Sequence, residues 1–190
     1  MITEKPFESS AEGVLRQIEG KARKSFLPII RPLKGKYLAE EIRKVKPRHV
    51  LEVGTLIGYS AILMGNELEK DAEIITIEIH REEAEQANEN LIKANLQAKI
   101  EIFVGDAIQA IPTLRGPFDF AFIDAEKSEY LQYLRLAEEK FHTGTVVFAD
   151  NAGIFAAQMS DYLDYVRNSG KYESRYVQVG DDGVEISVKL

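Results

Sequence analysis

The chain of 190 residues contains no cysteine and no tryptophan. Without cysteine there is no disulfide framework, no thiolate zinc site and no cysteine nucleophile. No apolar run approaches the roughly 20 residues that a membrane span needs. The start, MITEKPFESS, is polar where a leader would be apolar, so a soluble, cytoplasmic protein is expected. Repeats, low-complexity tracts and linkers are also missing. The length suits one domain with a sizeable core and is short for two.

What is present is the mix of a globular protein, 45% hydrophobic and 29% charged. The formal net charge of −7 is unevenly spread: residues 1–48 hold 12 Lys/Arg against 6 Asp/Glu, and the remainder holds 12 against 25. An acidic body argues against a broad nucleic-acid surface. The basic segment (Arg16, Lys21, Arg23, Lys24, Arg31, Lys34, Lys36) reads as a solvated helical face, and it leaves a local anionic partner open.

From residue 48 onward short β-rich runs alternate with helical patterns. Strands are expected at Val50–Val53, Glu73–Glu78, Lys99–Val104, Phe118–Ile123 and Thr145–Ala149, and a closing hairpin over Tyr172–Val179 and Val184–Leu190, about a turn at 180–183. Helices are expected from about Gly58 to Leu68, through Ala84, Ala87, Leu91 and Ala94, up to Pro112, through Tyr130, Leu134 and Ala137, and through Met159, Tyr162, Leu163 and Val166. This alternation predicts βαβ units, hence an α/β domain with a mostly parallel sheet and helices on both faces. Residues 1–47 read as a helical cap, with helices at about Ser10–Arg23 and Lys36–Val45, that covers the sheet or roofs its active edge. The whole of 1–190 is read as one domain.

In such sheets ligands bind beyond the carboxyl ends of the strands, where the strand order reverses. After the first strand come Glu52, Gly54, Thr55, Gly58, Tyr59 and Ser60, a turn whose glycines admit close backbone approach and whose helix N-terminus offers free N–H groups. The spacing Gly54-x-x-x-Gly58 is not the dinucleotide fingerprint, which argues against a nicotinamide dehydrogenase. Tyr59 fits either a cofactor pocket or packing. Glu78, ending the second strand, suits both ribose hydroxyls of a nucleoside. Asp106, after the third, is either a helix cap or an acceptor for an adenine amino group. Asp124, Asp150 and Asn151 end the fourth and fifth strands. Singly they read as caps; together they are hard oxygen ligands suited to Mg²⁺ or another divalent cation. The histidines His49, His80 and His142 are scattered along the sequence at strand edges and receive no role. Tyr162, Tyr165, Tyr172 and Tyr176 are expected to pack the last helix on the sheet.

The ordered motifs LEVGTLIGYS, ITIE, VGDA, FIDAEKSEY and FADN resemble those of the cation-dependent O-methyltransferases, the family of catechol O-methyltransferase and caffeoyl-CoA-type enzymes. The resemblance spans about residues 26–190. It implies a Rossmann-like class I methyltransferase sheet of seven strands with only the last antiparallel, and S-adenosylmethionine as cofactor. By the same resemblance the turn Glu52–Ser60 holds the methionine part, with Ser60 near its carboxylate. Ile30 touches the cofactor, Glu78 binds the ribose, and Asp106 with Ala107 flanks the adenine. Asp124, Asp150 and Asn151 match metal ligands, with Asp124 also at the cofactor, and Lys127 matches the catalytic base. Where catechol O-methyltransferase has His and Trp before that lysine, this chain has Ala125 and Glu126. Asp181 and Asp182 are the candidates for a substrate contact from the final hairpin, and no long insertion offers a grip for a coenzyme A thioester.

Physical chemistry supports those roles. Ionising a phenol of pKa near 10 at pH 7 requires about 4 kcal/mol, which a nearby divalent cation offsets, and a lysine beside that cation acquires a lowered pKa and accepts the proton. The expected function is methylation of one of two vicinal hydroxyls on a small aromatic, with a homodimer as the expected assembly. One alternative is a hydroxylated uridine in tRNA, received by the basic segment. Another is a nucleoside-binding module without catalysis.

Overall fold

The structure is a computed structural model that describes residues 10–190. The polar start used above lies outside the described residues. Two helices come first, α1 (Ala11–Ala22) and α2 (Pro32–Val45). Ser10 caps α1 by accepting from Gly13 N at 3.2 Å. Pro32 opens α2 at its first position, where a missing N–H costs nothing. The helix expected from Lys36 therefore starts four residues earlier and carries Lys34 in its first turn.

The sheet contains β1 (His49–Val53), β2 (Glu73–Glu78), β3 (Lys99–Val104), β4 (Phe118–Ile123), β5 (Phe141–Ala149), β6 (Tyr172–Val179) and β7 (Asp182–Lys189). Between them lie α3 (Tyr59–Gly65), α4 (Arg81–Ala94), α5 (Ala107–Ala110), α6 (Tyr130–Glu138) and α7 (Ser160–Asn168). The strand order is β3-β2-β1-β4-β5-β7-β6. Every pairing is parallel except those of β7, which is antiparallel to both neighbours. The seven-stranded, mostly parallel sheet is thus as expected, and only the last strand is reversed.

Apolar stripes on both faces explain the layering. Ile18, Leu38, Ile42, Ile62 and Ala94 of α1 to α4 pack on one side with Val50, Phe120, Phe122 and Phe148. Ala110, Tyr130, Leu134, Tyr162 and Val166 of α5 to α7 pack on the other with Leu51, Ala121 and Val147. Tyr162 and Tyr172 are buried as expected, and Tyr165 leans against Tyr172 with ring centroids 6.3 Å apart, whereas Tyr176 is exposed on the edge strand β6 and is not part of that packing. Among the described residues no helix is long and apolar enough to cross a membrane.

Two strand boundaries differ from expectation with consequences. β5 starts at Phe141, four residues before Thr145, because Phe141 pairs with Phe118 across an irregularity in the ladder. This carries His142 to Asp119, with Nε2 3.0 Å from Oδ1, while His49 Nδ1 lies 3.8 Å from the other oxygen. The histidines are therefore not all scattered; two meet one carboxylate at the end of the sheet remote from the strand-end acids. β7 starts at Asp182, which pairs with Val179, so the turn shrinks to Gly180 and Asp181.

Candidate active site

The order reversal falls between β1 and β4, where ligands are expected in such sheets. Val53 is paired with Ile77 on one side and with Ile123 on the other, and Ile123 with Ala149. The next residue of each strand is therefore Gly54, Glu78, Asp124 or Asp150, one row across four neighbouring strand ends. Adjacent strands lie about 4.8 Å apart. Backbone bonds hold the row: Gly54 N to Ile77 O at 3.0 Å, Asp124 N to Val53 O at 2.9 Å, and Asp150 N to Ile123 O at 3.0 Å. Parallel pairing alone thus brings together carboxylates that lie tens of residues apart in the chain.

A cavity of about 1430 Å³ runs along this edge, large enough for a nucleoside-sized ligand beside a smaller one. Gly54, Glu78, Asp106 and Ala107 line one part of it, and Asp124, Lys127, Asp150 and Asn151 another. Phe26 and Leu33 from the N-terminal segment and Ile154 and Phe155 also line it. Of residues 10–47, those of α1 and α2 pack on the sheet side, and residues of the stretch between them line the cavity.

Gly54 has φ +99°, and a Cβ there would collide with the carbonyl of Asp124. Glycine is required where the two strand ends approach this closely. Glu78 Oε2 accepts from Leu56 N at 2.7 Å and Oε1 from His80 N at 2.9 Å, which fixes the carboxylate at the cavity wall. Asp106 caps α5 by accepting from Ile108 N at 2.8 Å, and it also lines the cavity. Glu78, His80 and Glu83 also bring ligand atoms within 4.8 Å of one another, but both Glu78 oxygens already hold backbone.

Other expected residues stand behind the wall. Glu52, Thr55 and Ser60 are buried beneath the turn. Thr76 donates to Glu52 at 2.5 Å, and Thr55 and Thr76 share a hydrogen bond of 2.5 Å. Burial pushes the Glu52 carboxyl up to about 7, against the hydrogen bonds from Ser60 and Thr76, and its Oε1 is buried with no partner. Gly58 has φ +84° and leads into α3. Tyr59 is buried and donates to Glu19 of α1 at 2.8 Å, so packing is the role seen. Ile30 is 2% exposed in the core, between cavity-lining Ile29 and Arg31.

Lys127 opens a 3₁₀ turn, Lys127–Glu129. Its Nζ donates to Asp124 Oδ1 at 3.0 Å and to the Ala125 carbonyl at 2.9 Å, and lies 5.2 Å from the centroid of the Tyr130 ring. It is held in the site rather than displayed to solvent, with a side chain 14% exposed.

The residue that sequence reasoning missed is Lys34. It was grouped with a solvated basic face, yet it is 6% exposed and its Nζ lies 2.6 Å from Asp150 and 2.7 Å from Asp182. Burial lowers its pKa, but the two carboxylates more than offset that and hold it above the usual lysine value. Asp182, a candidate for a substrate contact, lines the cavity with both of its oxygens engaged within the protein. Oδ1 accepts from Gly153 N at 3.2 Å and Ile154 N at 3.0 Å, and Oδ2 from Lys34 and from Asn151 Nδ2 at 3.0 Å. Against the upward push of burial, these donors hold its carboxyl well below the usual range. Asp181 lines the cavity.

The oxygen set fits a divalent cation. Asp150 is raised by burial and by the charge of Asp124, with Lys34 opposing. Its Oδ1 is buried and, though paired with Lys34, makes no aligned hydrogen bond. Asn151, with φ +63°, gives its amide nitrogen to Asp182, and among the described residues no donor is seen on its side-chain oxygen. Two carboxylates with an amide oxygen are hard donors of the kind Mg²⁺ takes.

A family model described as O-methyltransferase matches residues 9–169. A catechol O-methyltransferase from Niastella koreensis is 37% identical over 126 residues, covering 64% of this chain and 57% of that protein. Across four curated relatives the match spans 54 to 64% of their length. An O-methyltransferase from Bacillus cereus, solved in complex with SAH, superposes with a TM-score of 0.83 at 26% identity, covering 100% of this chain and 94% of that one. TomG from Streptomyces achromogenes, solved in complex with SAM, gives a TM-score of 0.81 at 26% identity over 100% and 92%.

Proposed function

The chain belongs to the O-methyltransferase family, and on that premise we propose that it transfers the methyl group of S-adenosylmethionine to one of two neighbouring hydroxyls of a small aromatic. A divalent cation such as Mg²⁺ is held by Asp124, Asp150 and Asn151. The observation that carries this reading is the strand-end row itself: Asp124 and Asp150 on adjacent strands, with Lys127 Nζ 3.0 Å from Asp124, on the wall of a cavity shared with Glu78 and Asp106. The relatives named as catechol O-methyltransferases support the acceptor class, and the neighbours solved with SAH and SAM support the cofactor.

In this reading Glu78 accepts from the ribose hydroxyls, and Asp106 and Ala107 flank the adenine. The turn from Glu52 through Gly54, Thr55, Gly58, Tyr59 and Ser60 carries the methionine part, with Ile30 beside it. The acceptor oxygen forms a bond to the methyl carbon as the sulfur–carbon bond breaks, and the sulfonium becomes a neutral thioether. Holding the two reactants in line supplies much of the rate. The cation, when bound, favours the ionised acceptor by its charge. Lys127 takes the hydroxyl proton at Nζ. Leu33, Ile154 and Phe155 offer apolar surface to the ring and keep water from the reacting atoms.

The experiment is transfer of a labelled methyl group to catechol, with and without EDTA. Transfer should vanish in EDTA while binding of S-adenosylhomocysteine persists, and Lys127→Met should lower kcat by about 10²-fold to 10⁴-fold. Undiminished turnover in EDTA overturns the cation. The RNA acceptor draws support from Arg23 and Arg31, which line the same cavity. Label that passes to tRNA and to no hydroxylated aromatic would establish that reading in place of the first.

A further inference from the structure

We propose that Asp182 is a positioning residue that sets which atom of Asn151 faces the cation site. The inference rests on the reading of Asp124, Asp150 and Asn151 as that site. Asp182 comes from β7, 31 residues beyond Asn151, and its two oxygens divide their work. Oδ1 accepts from the backbone N–H groups of Gly153 and Ile154, which anchors the carboxylate on the segment that follows Asn151. Oδ2 accepts from Asn151 Nδ2 at 3.0 Å and from Lys34 Nζ at 2.7 Å.

An amide can turn either its oxygen or its nitrogen toward a neighbour at little steric cost. A carboxylate oxygen accepts only, so Asp182 Oδ2 selects the nitrogen of Asn151, and the amide carbonyl is left for a ligand in the cavity. Lys34 serves as the counter-ion. It neutralises Asp182 inside the protein and pairs with Asp150 Oδ1 at 2.6 Å, so the third carboxylate adds orientation without adding uncompensated charge. Partners of metal ligands act in this manner elsewhere, and their loss typically weakens metal affinity about 10- to 100-fold.

The test is a Mn²⁺ titration of the whole chain followed by the electron paramagnetic resonance of the free ion, without acceptor. In Asp182→Asn the two backbone N–H groups keep an oxygen on their side and turn the new NH₂ toward Asn151, while Lys34 keeps Asp150 as its counter-ion. Asn151 answers by presenting its own oxygen to that NH₂ and its nitrogen to the cavity. Mn²⁺ affinity should fall about 10- to 100-fold, with the melting temperature and S-adenosylhomocysteine binding preserved as the measure of an intact fold. The exchanged pair Asn151→Asp with Asp182→Asn should regain most of the affinity, because an aspartate at 151 accepts from the new NH₂ and still offers an oxygen to the ion. Asp181→Asn removes the same charge from the cavity wall without touching Asn151, and should change affinity less than about twofold. Equal affinity in Asp182→Asn, no recovery in the exchanged pair, or an equal loss in Asp181→Asn each overturns the proposal. A wild-type chain that binds no Mn²⁺ overturns the cation reading beneath it instead.

Discussion

Glu52 is fully buried at the end of the first strand, one oxygen bonded to Thr76 and the other without a partner. Its carboxyl sits at about 7 in the fold, chiefly through burial, against an ordinary 4.5. A raised folded value means that the proton is held more tightly in the folded chain. The associated stability is complete below pH 4.5 and drains away as the pH climbs through 7. Linkage puts the loss at about 3 kcal/mol. Glu52→Gln should therefore unfold at higher urea than wild type at pH 8 in the absence of cofactor, with the gain fading to nothing below pH 4.5. Denaturation curves at several pH values check this, and a difference that does not vary with pH sinks it. At the same scale lies the limit of the sequence. Asp124, Lys127, Asp150 and Asn151 are legible because each follows an apolar strand at short range. Lys34 is not, because the partners that bury it, Asp150 and Asp182, lie more than a hundred residues away, and its local pattern is that of any basic helix.

Among the elements, α1 is tied to the helix that follows the glycine turn by a polar contact, Tyr59 Oη donating to Glu19 at 2.8 Å. Val14, Leu15 and Ile18 of α1 share one apolar cluster with Ile62 of that helix. Tyr59→Phe keeps the ring and removes the bond, so it should cost about 1 kcal/mol of stability, read as a lower urea midpoint with an unchanged slope. An unchanged midpoint would show that water replaces the contact. Element type was readable from periodicity almost throughout, since β4 is, Asp119 apart, a run of buried apolar residues and α4 repeats alanines on one face. Element limits were less so. α2 gained a turn from Pro32, and β5 gained Phe141 to Gly144, because the backbone pairing that extends a strand is supplied by its neighbour. The meeting of His49 and His142 at Asp119 follows from that extension.

At the scale of the molecule, the cavity is walled by strand ends from both halves of the sheet and closed by the segment between α1 and α2. A ligand that fills it adds contacts to all of these parts at once, so binding should register in global stability. At a concentration 100 times its Kd, S-adenosylhomocysteine should add about 2.7 kcal/mol, which for a domain of this size raises the Tm by roughly 5 to 10 °C. A scan with saturating compound and no shift would remove the cofactor from this cavity.

Alternating apolar runs and helical stripes were sufficient to specify an α/β sheet, because burying those faces leaves few ways to stack them, and the acids and glycines after each strand marked the edge where chemistry would sit. Tertiary structure alone decided how those groups are oriented. Register placed Gly54, Glu78, Asp124 and Asp150 in one row, and the return of β7 brought Asp182 against Asn151 and Lys34. Such contacts join residues far apart in the chain through directional hydrogen bonds and desolvated charges. Neither has a local signature, and so neither exists until the sheet has closed around it.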